Sequence, residues 1–597
     1  MKRPLSLSGI AVSPGVAMGR AVLWLSRDDT APRRMLEPDE IAPELEKFRK
    51  AATTAVDEIE RTAEEVGHRL GPEYAAIFHA HALFLKDRTF LGPIERRIES
   101  DAVNAEWAVA SVTESLAARF RDLPDENLVH RAADLEDVSK TLRRHLDDGG
   151  ISPSRIETIE GEGIVLVADE LSPSDAVRIP RDKIVAFVTE RGGRTSHVAI
   201  LARSFGLPAV VAVPRLLATI GEGDRVIVDG LEGVVWTEPT EDLVALFEDR
   251  KIREADRQRS LRERSLSGAV KTLDGQALAI RANIELVSEI SDVLEYGADG
   301  VGLFRSEFLY LSASEAEFPD EASQAAIYRD ALSRLAPRPV VIRTWDLGGK
   351  KGFRQLPGFE ESNPVLGLRG IRLCFKRPAM FRTQLRALLR AASAGDLRIL
   401  VPMVSGIEEM RRVRTLIDES RDDLRSEGVT VPERILLGAM IEVPAAAIMA
   451  DLLAAEVDFL SLGTNDLIQY TLAVDRANET VSELFRPHHP AVLRLIARVA
   501  EAARVAGKPV AVCGEMAGDP IFFMLLLGLG IREFSMGARS VPGLKEVART
   551  VSTVDAQRVA RAALTLATAD EVAALLSREG HSLLSGELTA RPREVAS

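Results

Sequence analysis

Gly192-Gly193-Arg194-Thr195-Ser196-His197 stands between a β-rich run and a short helical stretch, and these residue types suit anion chemistry. The glycines permit a tight turn with close backbone approach. Thr195 or Ser196 is a good N-cap, which places His197 in the first helical turn. Free N–H groups and the positive helix end favour an anion there. An imidazole so placed is a candidate nucleophile whose phosphorylated form is steadied by backbone donors and hydroxyls. The competing reading is a capped helix with an incidental histidine.

A second set of reactive types recurs at the ends of apolar runs further along. Glu442 closes LLGAMIE and Asp466 follows DFLSLG; two carboxylates converging there suit a hard cation such as Mg²⁺. Arg305, Arg343 and Arg476 are distant in sequence but could meet at one mouth. Guanidinium forks match phosphate and carboxylate oxygens and stay charged at any working pH. Three arginines with a divalent cation imply a small, highly anionic substrate. Cys513, in Val512-Cys513-Gly514-Glu515, is by default a buried packing thiol; facing a pocket, it could instead exchange a proton. Cys374 lies on a helical stretch and reads as packing. Taken singly, each arginine or carboxylate reads as a salt-bridge residue. Only joint placement makes them a site.

That placement depends on the elements beneath. Eight β-runs alternate with helical patterns after residue 271: 278–283, 300–304, 339–345, 398–403, 436–442, 458–463, 509–513 and 533–537. Asn283, Arg305, Arg343, Glu442, Asn465, Asp466 and Cys513 lie at or just beyond the ends of these runs. A closed (β/α)₈ barrel gathers such ends on one face, where its chemistry sits. A doubly wound open sheet is the alternative. Upstream, IVLVA, KIVAFVT, PAVVAV, DRVIVDG and GVVWT predict a compact α/β domain, to whose sheet the short β segments of residues 1–25 belong. Between them, apolar residues at three-and-four spacing from about 38 to 147 predict a helical insertion. Residues 238–266, dense in both charge signs, read as a solvated linker helix. The expected domains are 1–25 with 148–237 (α/β), 26–147 (helical), 238–270 (linker) and 271–597 (barrel).

Length and composition agree. At roughly 100–200 residues per domain, 597 residues imply about three to five domains. A 46% hydrophobic, 28% charged chain is globular, and its two cysteines fit a reducing compartment. A net charge of −14 with 5% aromatics argues against nucleic-acid binding. The N-terminus lacks a signal-peptide core, and the apolar LLLGLGI at 525–531 is far too short for a membrane span. A soluble, cytoplasmic chain is expected.

Seven segments carry a family resemblance: GGRTSHVAILAR, GLFRSEFLY, RTWDLGGKK, NPVLGLRGIR, MIEVPAA, SLGTNDLIQYTLAVDR and VCGEMAGD. In this order, and with AAIF and RAAD inside the helical block, the chain resembles Enzyme I of the bacterial sugar phosphotransferase system over essentially its whole length. The resemblance implies a swivelling phosphohistidine α/β domain with an inserted helical domain that docks the carrier HPr, then a TIM-type barrel that binds phosphoenolpyruvate. It also implies Mg²⁺ and a homodimer formed through the barrels. His197 matches the phosphorylated histidine. Arg305, Arg343, Asn465, Asp466 and Arg476, with Arg369 in GLRGIR, match substrate positions. Glu442 and Asp466 match the metal ligands, and Cys513 matches the proton donor.

The implied reaction takes the phosphoryl group of phosphoenolpyruvate to His197 and then to a histidine of HPr, releasing pyruvate. Two departures stand out: Lys350 in GGKK replaces a commonly acidic residue, and FLKDRTF (84–90) is less acidic than usual for the docking domain. A pyruvate-forming dikinase or phosphoenolpyruvate synthase shares the motifs but needs a nucleotide-binding block of several hundred residues, and residues 38–147 are too short and too helical to serve. A degenerate regulatory relative would not need His197, Glu442, Asp466 and Cys513 together. No sensory segment precedes residue 1, which favours the sugar branch over nitrogen regulation.

Overall fold

A computed structural model describes the chain outside residues 1–4, 25–30, 71–77, 79–80, 122–125, 147–162, 172–182, 194–197, 200–201, 203–205, 312–318, 349–362, 364, 477, 479–480 and 585–597. It divides into two compact units, Met1–Ala255 and Asp256–Ser597.

The first unit holds an eight-stranded sheet. Its strands are β1 (Leu5–Ser8), β2 (Ile10–Ser13), β3 (Val16–Trp24), β4 (Ile164–Ala168), β5 (Ile184–Thr189), β6 (Ala209–Val211), β7 (Arg225–Asp229) and β8 (Val234–Thr237), in the order β1-β8-β7-β3-β4-β5-β6-β2. β3 and β4 are parallel neighbours, Arg20 opposite Ile164 and Trp24 opposite Ala168. Everything between them is therefore an insertion into the sheet. The IVLVA run is apolar throughout because both faces of β4 are covered: Ile164, Leu166 and Ala168 join one core, Val165 and Val167 the other.

The insertion contains α1 (Ile41–Leu70), α2 (Arg88–Asp101), α3 (Ala105–Arg121) and α4 (Glu126–Leu146). Phe48, Ala55 and Ile59 of α1 meet Ile94 and Ile98 of α2, Val109 of α3, and Val138 and Leu142 of α4. Within 84–90, Asp87 caps α2 by accepting from the Thr89 N–H at 2.8 Å.

The charged stretch is one helix, α5 (Glu241–Leu266). Val244 and Phe247 pack against Ile227 of the first unit. In the second unit Ser265 donates to the Tyr296 carbonyl at 2.7 Å, and the buried Lys545 ammonium donates to the Gly297 carbonyl and Asp299 at 2.7 and 2.9 Å.

The second unit is a closed barrel. After the short β9 (Val270–Lys271) come β10 (Ala277–Ile284), β11 (Val301–Arg305), β12 (Val340–Arg343), β13 (Leu397–Val401), β14 (Leu436–Ile441), β15 (Phe459–Leu462), β16 (Val510–Val512) and β17 (Glu533–Gly537). Each pairs in parallel with the next, and β10 pairs in parallel with both β11 and β17. An open sheet would leave β10 an edge, so the doubly wound alternative is excluded. Leu303, Val341, Leu400, Met440, Phe459 and Cys513 form a small interior cluster, while Val301, Phe304, Ile342, Ile399 and Ile441 belong to the large core under the helices. Gly438 makes room for Phe459, whose ring would lie 2.4 Å from any added Cβ. No described helix is long and apolar enough to cross a membrane.

Candidate functional site

Strand register brings the barrel's polar residues together. Ile284 of β10 stands opposite Phe304 of β11, so the next residues, Glu285 and Arg305, emerge side by side at the same end. Arg305 donates to Glu285 at 2.6 Å. Glu285, Arg305, Asn283, Asn465, Cys513 and Glu515 share the walls of a cavity of about 660 Å³. Asn465 bridges both ends of Glu515: its amide donates to the carboxylate at 3.2 Å, and its carbonyl oxygen accepts from the Glu515 N–H at 3.1 Å. Asn283 donates to the Cys513 carbonyl at 3.0 Å and accepts from Ser535 at 2.6 Å.

Beside this cavity lies a buried ion network. Arg343, on the last residue of β12, pairs with Glu307 and, at 2.9 Å, with Asp346. Asp346 takes both prongs of Arg369 at 2.9 Å, and Arg369 forks onward to the two oxygens of Asp466 at 3.0 and 3.1 Å. Tyr470 accepts from the same guanidinium at 3.1 Å. Burial alone would disfavour these charges, but the two guanidiniums hold the Asp346 carboxyl well below the ordinary carboxylate range. Two bidentate partners make Arg369 the hinge of the network. Arg369→Met leaves buried carboxylates uncompensated and should cost about 3–5 kcal/mol in denaturant melts; a loss under about 1 kcal/mol, as for an exposed pair, would contradict this.

Glu442 is fully buried just past β14. One of its oxygens accepts from the Met403 N–H at 2.6 Å; the other has no partner among the described residues. Burial, then Asp466 and Asp346, push its carboxyl up to about 8. Met403 reaches it from φ +57, a conformation that costs a non-glycine residue about 1–3 kcal/mol and belongs to functional positions more than to packing. At Gly463 an added Cβ would lie 2.8 Å from the unpartnered oxygen and 3.0 Å from the Glu442 Cβ, so a side chain there would push Glu442 aside. An unpaired buried oxygen among surplus carboxylates fits a divalent cation.

The Cys513 thiol is buried against Ser461, which donates to its sulfur at 3.4 Å. Burial pushes its pKa up. Cys513 shares the interior cluster with Met440, whose sulfur lies 3.9 Å from the Arg343 guanidinium, so cavity and ion network adjoin. Cys513 is a thiol at neutral pH, as a proton donor must be.

The structure thus gathers Arg305, Asn465 and Cys513 on one cavity, and Arg343, Arg369, Asp466 and Glu442 in the network beside it. Arg476 is not brought in: its side chain is exposed, and its backbone N–H donates to Gln469 at 3.2 Å. His197 and Lys350 lie outside the described residues, although Gly192 before His197 takes φ +113, as a tight glycine turn requires. Cys374 is fully buried, 3.9 Å from the Trp345 carbonyl, and packs as expected. Sequence reasoning passed over Asp346, Glu307, Glu285 and Ser461. For Asp346 a signal existed, an acid three residues after a strand-end arginine. Glu285 could be found only from the register.

The chain matches known protein families along most of its length. Residues 8–131 match the PEP-utilising enzyme N-terminal family, 159–233 the PEP-utilising enzyme mobile domain, and 259–553 the PEP-utilising enzyme PEP-binding domain. A solution structure described as Enzyme I is 35% identical over 42% of this chain and 99% of its own, with a TM-score of 0.36. A phosphoenolpyruvate-protein phosphotransferase of Bacillus sp. (strain S) is 41% identical over 96% of this chain and 98% of its own. One from Listeria monocytogenes is 40% identical over 96% and 99%. Identity at this level over nearly the whole of both chains means that the chain belongs to the phosphoenolpyruvate-protein phosphotransferase family.

Proposed function

We propose that the chain transfers the phosphoryl group of phosphoenolpyruvate to its own His197, passes it to a histidine of an HPr-type carrier and releases pyruvate, the first step of sugar uptake by the phosphotransferase system. One observation carries this reading: Arg305, Asn465 and the Cys513 thiol share one barrel mouth, beside a network that holds Arg343 and a buried carboxylate with an unused oxygen. Such a mouth suits a small anion that needs charge neutralised and a proton delivered.

In this reading Arg305, Arg343, Asn465 and Arg476 orient the substrate's anionic groups, with Arg369 and Asp346 holding Arg343 and Asp466 in place. Arg476, exposed here, must fold inward over bound substrate. Glu442 and Asp466 would hold a divalent cation, Mg²⁺, which when bound offsets charge on the substrate's oxygens. His197 takes the phosphoryl group, an event dominated by positioning and electrostatics rather than by covalent work elsewhere. Cys513 protonates the departing enolate. One histidine must visit both substrate and carrier, so the small α/β domain, 1–25 with 148–237, has to swivel on the 238–270 linker. Residues 26–147 dock HPr, and 271–597 bind substrate and form the homodimer, in the cytoplasm.

Incubation with labelled phosphoenolpyruvate, Mg²⁺ and candidate carriers tests this; label appearing on the enzyme and then on HPr is expected, and a chain that never becomes labelled would refute it. Cys513→Ala should slow pyruvate formation by about 10²–10⁴-fold, as loss of a general acid does, with substrate affinity near normal. A large rise in the dissociation constant at unchanged maximal rate would make Cys513 a packing residue.

A further inference from the structure

The three barrel arginines nearest the site have different counter-ions. Those of Arg343 and Arg369 are interior: Glu307, Asp346 and Asp466 have side chains at most 10% exposed, and each belongs to the fixed network. Arg305 is different. Its partner Glu285 stands in the mouth, both side chains are 34% exposed, and both line the cavity with Asn465 and Cys513. An ion pair this open exchanges readily. Behind Glu285 stands a second acid, Glu289, which accepts from the Glu285 N–H at 2.8 Å. The site that is to receive a polyanion thus contains an anion of its own, covalently tethered and already seated on one of its arginines.

We infer that Glu285 is an internal competitor for the substrate: its carboxylate occupies Arg305 until phosphoenolpyruvate displaces it, which sets a higher dissociation constant and returns the arginine to a neutralised state when the product leaves. The inference rests on the reading of Arg305 as a substrate contact. It makes Glu285 a specificity-determining residue, since an anion of low charge gains too little from Arg305 to evict a tethered carboxylate, whereas a polyanion does.

The sign of one effect separates competitor from support. Titration calorimetry with phosphoenolpyruvate and Mg²⁺, on full-length protein carrying His197→Ala so that the substrate stays intact, should show Glu285→Gln binding about two- to fivefold tighter, the range an ion pair at this exposure commands. Arg305→Ala should bind much more weakly, and in that background Glu285→Gln should change nothing. Unchanged or weaker binding in Glu285→Gln, with Arg305→Ala weakened, overturns the competitor and leaves the site intact. Unchanged binding in Arg305→Ala removes Arg305 from the site and the inference with it. Glu285→Gln keeps the size of a half-exposed side chain, and a matching thermal midpoint confirms that the comparison is between folded proteins.

Discussion

Glu442→Gln is expected to leave the barrel folded and to reduce divalent-cation-dependent turnover by at least about 10²–10³-fold, the loss that follows removal of one electrostatic partner of a transition state. The substitution keeps an oxygen for the Met403 N–H and removes the charge that an unpartnered oxygen offers to a cation. A second signature is independent of activity. Without cation, burial and two neighbouring carboxylates raise this carboxyl from 4.5 to about 8. Between those values the folded chain retains a proton that the unfolded chain has released, so stability falls as pH rises through the window. Glu442→Gln has no such proton and should lose that part of the slope. Urea melts in chelator at pH 5 and 8 read the difference: the variant should gain on the wild type towards pH 8, and added Mg²⁺ should stabilise only the wild type. Equal slopes, or full turnover in the variant, would remove Glu442 from the cation site.

Much of this site was legible because barrel strands announce themselves twice, by apolar runs and by the polar residue that ends each run. All eight expected runs are strands. Their ends moved where local hydrogen bonding intervened. The run 339–345 stops as β12 at Arg343, because the Trp345 N–H leaves the ladder to donate to Gln384 at 3.0 Å. The run 398–403 stops as β13 at Val401, because Pro402 has no N–H and Met403 turns to φ +57. Closure, which depends on β10 meeting β17 across some 250 residues, was expected from the polar strand ends and the family resemblance and not from apolar periodicity, which is the same for open and closed sheets. Counter-ions were not legible. Glu285 and Arg305 face each other only once two strands are in register, and Asp346 serves Arg343 and Arg369 only once a loop has brought three elements together. Residue type marks who can carry charge. Topology decides who neutralises it.

The widest separation of effects is expected from His197→Ala, which should abolish labelling by phosphoenolpyruvate while leaving its binding nearly unchanged. Every residue assigned to the substrate and cation lies in the unit Asp256–Ser597, whereas His197 belongs to the unit Met1–Ala255. His197→Ala removes none of the proposed substrate contacts, so the dissociation constant should stay near its wild-type value. Transfer has no such tolerance. Loss of the nucleophile in covalent catalysis costs about 10⁶-fold, and no other histidine of the chain follows a Gly-Gly turn that could cradle the phosphorylated ring. Calorimetry with phosphoenolpyruvate and Mg²⁺, paired with acid-labile label incorporation, measures both halves on one protein. Label retained in His197→Ala would place the phosphorylated residue elsewhere. Binding lost with His197 would mean that the small α/β domain supplies part of the pocket, and the barrel mouth would then be an incomplete site on its own.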